Sequence, residues 1–265
     1  MNLRIAQLSD IHFGGENRAA AEAAIEAVKR AKVDLVVLAG DLTVQGRPSE
    51  YAAAKAWADA LPDPKLVTPG NHDAPYGVER LLRPFHRFEE HFGEPEGACW
   101  ENGGAMVLAI NTARGIQPRA NWSKGQVSPE QIGYVRTRLG RRAPGALAVL
   151  VCHHPLTEML GGPMTGQVWR GERAAREFSE AGLDLVLTGH IHAPFAMPFG
   201  FGDGHTYAVG SGTLSTRERG TPPSFNLIET TADTHAVSAV AWTGSHFETW
   251  RTWALPRRPA LAGSR

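Results

Sequence analysis

The sequence predicts an α/β protein, and three features carry that expectation. Over the first two-thirds, short apolar runs alternate with Ala-, Glu- and Arg-rich segments, the pattern of parallel strands joined by crossover helices. From about residue 205 the helical segments stop, and short β-rich runs follow one another between turn residues, which reads as antiparallel strand. At 265 residues and 42% hydrophobic composition, the chain can also bury a large core.

Each element has its own warrant. LRIAQLS is short, apolar and closed by Asp10, hence a strand, and NRAAAEAAIEAVKRAK is Ala-rich with Lys and Arg late, which suits a helix dipole. VDLVVLAG reads as a buried strand, SEYAAAKAWADAL as a helix capped by Ser49, and KLVTPG as a strand. GVERLLRPFHRFEEHFG is helical but interrupted by Pro84. After the strand AMVLAINT comes a capping box, with Ser128, then Pro129 at the first helical position, then Gln131. ALAVLVC and LDLVLTG are strands, separated by the helix ERAAREFSEAG, which Gly182 closes. HTYAVGS, SFNLIET, HAVSAVAW and HFETWRTWAL form the β-rich end, as a second sheet or an extension of the first. The Pro/Arg/Gly-rich residues 256–265 are expected to be a loose tail.

Composition narrows function. Lys plus Arg and Asp plus Glu number 27 each, so no net field draws the chain to nucleic acid polymers or an anionic membrane. Cys99, in an expected loop, and Cys152, in an apolar run, form no disulfide framework or CxxC site. With no secretory segment or membrane-length apolar run in the sequence, the expectation is a cytoplasmic protein with plain thiols.

The informative residues follow the strands. The first is followed by Asp10-Ile11-His12, the next by Gly40-Asp41, and the third by Gly70-Asn71-His72-Asp73. A later strand ends in His153-His154-Pro155, and the last of the parallel type in Gly189-His190-Ile191-His192. Ligands of open α/β sheets bind at the C-terminal strand edge, and three of these five turns carry a glycine that permits a sharp exit. Mixed imidazole, carboxylate and amide ligands suit transition metals rather than calcium. A carboxylate alone on its turn, Asp41, is the natural bridge between two ions, and two-metal sites with ions roughly 3.5–4 Å apart suit phosphoryl chemistry. Two divalent ions, Asp10, Asp41 and one hydroxide leave about one net positive charge to meet a phosphodiester.

Asp-x-His, Gly-Asp, Gly-Asn-His-Asp, His-His-Pro and Gly-His-x-His occur in order across residues 10–192, and this series resembles the calcineurin-like metallophosphoesterases. Within them it is most similar to the bacterial branch of class III cyclic-nucleotide phosphodiesterases and glycerophosphodiesterases. The resemblance implies a four-layer αββα sandwich of two mixed sheets flanked by helices, with residues 1–255 as one domain whose β-rich part begins near 205. It assigns Asp10, His12, Asp41 and His192 to one metal, and Asp41, Asn71, His153 and His190 to the other. It makes His72 the non-ligand histidine beside the leaving group, acting with Asn71. The Gly-Asp is followed by Leu-Thr rather than tyrosine, so the tyrosine–iron charge transfer of purple acid phosphatases is not expected.

The expected reaction is in-line attack of a metal-bridging hydroxide on a small-molecule phosphodiester, of cyclic nucleotide or glycerophosphodiester type, with Mn, Fe or Zn as cofactor. Asp73 is expected to orient His72 or cap a helix, and His154 to support the ligands from behind. The long glycine-rich loops 111–127 and 155–171 suggest Arg114, Trp122 and Arg170 as substrate contacts, against the alternative of ordinary solvated side chains. His86 and His91, five residues apart, do not match a zinc-protease motif, and His205, His235 and His246 are assigned to surface or packing. A phosphomonoesterase or pyrophosphatase of a nucleotide-type substrate is the alternative, a non-catalytic scaffold the second alternative, and a homo-oligomer stays open.

Overall fold

A computed structural model of the chain describes residues 2–118, 121, 123–158 and 168–259. The order begins β1 (Leu3–Leu8), α1 (Arg18–Ala31), β2 (Leu35–Ala39), α2 (Pro48–Asp59), β3 (Lys65–Thr68), α3 (Val78–Leu82) and α4 (His86–Phe92). It continues with β4 (Cys99–Asn102), β5 (Ala105–Ala109), α5 (Pro129–Leu139), β6 (Leu147–Val151), α6 (Gly171–Glu180) and β7 (Leu185–Thr188). The chain closes with β8 (Phe195–Pro198), β9 (Tyr207–Gly210), β10 (Ser224–Thr230), β11 (Thr234–Trp242) and β12 (Phe247–Pro256).

Two six-stranded sheets result, in the orders β12-β11-β10-β1-β2-β3 and β4-β5-β6-β7-β9-β8. Both are mixed. β1, β2 and β3 are parallel, as are β5, β6, β7 and β9, while β10–β12, β4 and β8 pair antiparallel. The sheets pack face to face through Ile5, Val37, Val107, Val149, Leu187 and Val209. Outside the first sheet, α1 and α2 contribute Ala24, Val28 and Trp57 to a second apolar cluster; outside the other, Ile132, Val135 and Phe178 of α5 and α6 build a third. This is the four-layer αββα sandwich. Strands covered on both faces, such as β2 and β6, are buried at every position, which is why they read as unbroken apolar runs.

Buried amides also join the two sheets. Gln7 of β1 donates from Nε2 to the carbonyls of Thr188 (2.9 Å) and Val209 (3.1 Å), and Asn226 of β10 donates to Gln7 Oε1 at 3.1 Å and to the Gly210 carbonyl at 2.9 Å. Each bond sits in a dry interface where breaking it strands a polar group. They fix the C-terminal ends of β1 and β7 side by side.

Several local expectations need correction. Ser49 does not cap α2: Pro48 takes the first helical position, and the Glu50 carboxylate accepts the N–H groups of Gln45 and Arg47. Cys99 starts an edge strand rather than lying in a loop, and β8 is a further edge strand absent from the sequence reading. The β-rich end is divided, with β10–β12 extending the first sheet while β9 inserts parallel to β7 in the second. The start of the expected tail is tied down, since Arg258 pairs with Asp184 (3.0 Å) and Asp203 (2.5 Å) and the Arg257 N–H donates to the Asp233 carbonyl; residues 260–265 lie outside the described part. Among the described residues, no helix is long and apolar enough to cross a membrane.

Candidate metal centre

The five turns that follow β1, β2, β3, β6 and β7 meet at the shared C-terminal edge of the two sheets. Chain conformation there is unusual. Asp10, His12, Asp41, His190 and His192 all have positive φ, between 52° and 69°, a region that costs a non-glycine residue of order 1–2 kcal/mol. Surrounding bonds impose it. Asp10 N–H donates to the Gly40 carbonyl and His12 N–H to the Asp41 carbonyl, each at 3.0 Å, and His190 N–H donates to Asp10 Oδ2 at 2.9 Å. His72 N–H donates to Asp41 Oδ1 at 2.8 Å. Close approach explains two of the glycines. A Cβ on Gly70 would lie 2.2 Å from Asp41 Oδ1, and one on Gly189 would lie 1.7 Å from Ser9 Oγ.

Among the described residues, three clusters of metal-capable side chains overlap: Asp10/His12/His192, Asp10/Asp41/His153 and His153/His154/His190, with the ligand atoms of each within 4.8 Å of one another. Backbone carbonyls set the imidazole tautomers. His12 Nδ1 faces the Thr43 carbonyl (3.2 Å), His153 Nδ1 that of Ala39 (2.8 Å) and His192 Nδ1 that of Arg217 (2.8 Å). With a proton held at Nδ1, each ring turns its Nε2 inward, where a metal ion could replace any proton. His12 Nε2 and His192 Nε2 then face each other at 3.2 Å, His192 Nε2 lies 3.1 Å from Asp10 Oδ1, and His153 Nε2 lies 3.3 Å from Asp41 Oδ2. Two Nε2 atoms this close share either a proton or a metal ion. Metal–nitrogen bonds of about 2.1 Å place two ligands of one ion about 3.0–3.4 Å apart, so the spacing fits.

The unsatisfied atoms point the same way. Asp10 Oδ1, Asn71 Oδ1 and His153 Nε2 are buried without a hydrogen-bond partner, and buried polar atoms are rarely left so. Electrostatics is consistent. Burial pushes His12 down to about 4 and His190 to about 3, so both rings are neutral and can ligate at neutral pH. Burial would also lower His153, but the Asp41 carboxylate outweighs it and lifts the ring to about 9, so a metal ion bound there would have to displace the Nε2 proton. Burial favours the neutral form of Asp10, yet the His192 imidazole overcomes it and holds the carboxyl at about 2.

The remaining candidates separate. His72 stands at the rim, its Nδ1 2.7 Å from the Val44 carbonyl and its ring edge-on to His12 at 4.9 Å. Asp73 neither orients His72 nor caps a helix: its buried carboxylate takes the N–H groups of Gly70, Leu42 and Thr43 and the Thr43 hydroxyl, tying the second turn to the third. Both ring nitrogens of His154 are engaged, with Thr112 Oγ1 (2.9 Å) and the Ser123 carbonyl (2.8 Å), so it packs against His153 and His190 without a free donor atom. Arg114 is folded inward onto the Asn111 and Ala113 carbonyls and Gln131. Arg170 lines a separate cavity with Leu156 and Phe199 and lies over Trp169. Trp122 lies outside the described residues.

Sequence reading missed Arg217. It lies in the loop between β9 and β10; its carbonyl holds His192, and its Nη1 lies 3.3 Å from His72 Nε2. No motif marks it, since its contact with His192 is made by a backbone atom.

Fold and site together define a metallophosphoesterase, and the comparisons agree. The family model described as calcineurin-like phosphoesterase matches residues 3–194. The chain belongs to the calcineurin-like phosphoesterase family, a class of metal-dependent phosphoester hydrolases. It is 30% identical over 209 residues to a probable cyclic nucleotide phosphodiesterase of Synechococcus sp., covering 74% of this chain and 75% of that one. Against the glycerophosphodiester phosphodiesterase GpdQ of Enterobacter lignolyticus the identity is 27% over 165 residues, 57% of each chain. A purple acid phosphatase from yellow lupin superposes with a TM-score of 0.72 at 13% identity, over 97% of this chain and 54% of its own, which is a likeness of fold.

Proposed function

We propose that the chain hydrolyses a small-molecule phosphodiester with two transition-metal ions, within one domain spanning residues 1–255. Asp10, His12, Asp41 and His192 would hold one ion, and Asp41, Asn71, His153 and His190 the other. The observation that carries this reading is the convergence of metal-capable atoms: the Nε2 atoms of His12 and His192, 3.2 Å apart, with Asp10 Oδ1, Asn71 Oδ1 and His153 Nε2, the last three buried without a hydrogen-bond partner. Bound there, the ions would supply Lewis acidity toward phosphate oxygens and lower the pKa of water.

The protein's own groups supply positioning and proton handling. In hydrolysis the water oxygen ends on phosphorus, one P–O ester bond breaks, and the departing alcohol takes a proton. His72, with Nδ1 fixed by the Val44 carbonyl, presents Nε2 as the atom that would carry that proton. Arg217, whose guanidinium reaches the same atom, would exchange that contact for a phosphate oxygen when substrate arrives. Carbonyls of Ala39, Thr43 and Arg217 keep the ligand rings in one tautomer and orientation. The Mn, Fe or Zn question is one of supply as much as of ligands.

The test is metal analysis combined with hydrolysis of bis(p-nitrophenyl) phosphate and p-nitrophenyl phosphate across Mn, Fe, Co and Zn. Diester hydrolysis exceeding monoester hydrolysis is expected. The reverse ratio would make the chain a phosphomonoesterase, and inactivity on both with every metal would make it a scaffold.

A further inference from the structure

A cavity of about 600 Å³ opens directly beside the proposed centre, sharing Asn71 and His72 with it and lined otherwise by residues such as Tyr76, Val78, Leu81 and Ser123. Its size suits a small-molecule arm. Its wall is built the wrong way round for a structural helix. The short helix α3 buries Arg80, whereas Val78 and Leu81, with Tyr76 just before them, are 68%, 46% and 65% exposed. Arg80 explains the inversion: its guanidinium donates to the carbonyls of Gly115 (3.1 Å), Ala74 (3.1 Å) and Asn71 (3.5 Å). The bond to Asn71 anchors the same turn that carries a proposed ligand. The result is a fixed apolar surface, held in water next to the reacting group.

Polar recognition there is sparse. Among the described lining residues there is no carboxylate, the Arg80 guanidinium is turned onto backbone carbonyls, and the Ser123 hydroxyl already bonds Asn121 Oδ1 at 2.6 Å. A glycerol arm would find few partners for its hydroxyls and would lose hydration on entry. An ammonium head group would meet no opposing charge among the described lining residues. A flat ring would cover Tyr76, Val78 and Leu81 and stack on the phenol.

We propose that this cavity is the subsite for one ester arm of the substrate, and that it selects an uncharged ring of nucleoside or aryl size over a glycerol arm. The inference rests on the hydrolase reading above and divides its two substrate classes.

Non-hydrolysable phosphonates test it by direct binding. Calorimetry on the Mn-loaded protein would compare benzylphosphonate, the isostere of phenyl phosphate, with 3,4-dihydroxybutylphosphonate, the isostere of glycerol 3-phosphate. The expected affinity ratio favours the ring by about tenfold or more, and Tyr76→Ser combined with Leu81→Ser brings the ratio to near one. A ratio near one in the unaltered protein overturns the subsite, as does an undiminished ratio in the double variant or, should that variant not fold, in Leu81→Ser alone. Hydrolysis of bis(p-nitrophenyl) phosphate by the same preparation keeps the two readings apart. Its absence with every metal fails the hydrolase and the subsite together, whereas activity with equal affinities fails the subsite alone.

Discussion

In the first sheet, β1, β2 and β3 run parallel and deliver Asp10, Asp41 and Asn71 at their ends, whereas β10, β11 and β12 meander antiparallel and end in turns that hold no proposed ligand. The parallel half ends in left-handed backbone at Asp10, His12 and Asp41 and in buried acceptors without partners. The antiparallel half pairs in continuous register from Ser224↔Ala241 to Thr230↔His235, with one irregularity at Ala239/Val240 against β12. Left-handed backbone and partnerless metal-capable atoms thus fall together where ions and substrate are proposed to bind, whereas the antiparallel half, which also buries partnerless polar atoms at Ser224, Asn226 and His235, pairs regularly. Backbone strain is tolerable only when the surrounding structure over-determines it. Here the Gln7–Asn226 pair couples the strained half to the regular one.

That division can be broken from either side. Asp41→Ala should have the largest effect, because both proposed ions lose a shared ligand: turnover is expected to fall by about 10³ or more, with metal content falling alongside. Retention of two ions and activity would remove the parallel half from the chemistry. Phe225→Ala, in β10, should act oppositely. Phe225 is fully buried and edge-on to Phe247 at 5.0 Å, so its truncation should cost about 3–4 kcal/mol in denaturant unfolding, while the folded fraction keeps its metal and its kcat. His72→Ala should lower kcat about 10²-fold with metal content intact. Loss of both ions in that variant would move His72 from proton handling to ligation.

The smallest effect concerns pH. His235, buried in β11 with Nδ1 on the Thr230 hydroxyl, is pushed by burial from 6.5 down to about 4. Between those values the unfolded chain binds the proton and the folded chain does not. Stability therefore falls as pH drops from 7 toward 4, by about 3 kcal/mol from this group. His235→Gln should flatten that part of the stability–pH curve, and an unchanged slope would assign it elsewhere.

Much of the candidate site was legible because its side chains sit at strand ends. Buried strands announce themselves as apolar runs, and the residue after a tight glycine exit must point into the cleft, as Asp41, Asn71 and His190 do. The Ser128–Gln131 capping box was equally readable, because both partners are local: Ser128 Oγ accepts the Gln131 N–H at 3.2 Å and Gln131 Oε1 accepts the Ser128 N–H at 2.8 Å. What escaped reading depends on backbone or on distant partners. Carbonyls of Ala39, Thr43, Val44 and Arg217 orient four histidines, yet a carbonyl is common to every residue type and leaves no trace in sequence. Asp73 looked like an orienter because it neighbours His72, but its four contacts lie in other turns or three residues back. Arg114 looked available for substrate, but burial beneath its loop left backbone carbonyls as its nearest acceptors.

The most direct test is anomalous diffraction from crystals grown with Mn. The account predicts two peaks about 3.5–4 Å apart, one within bonding distance of Asp10, His12 and His192, the other of Asn71, His153 and His190, with an Asp41 carboxylate oxygen on both. A single peak, or none while Asp41 faces away from His12 and His153, would contradict it.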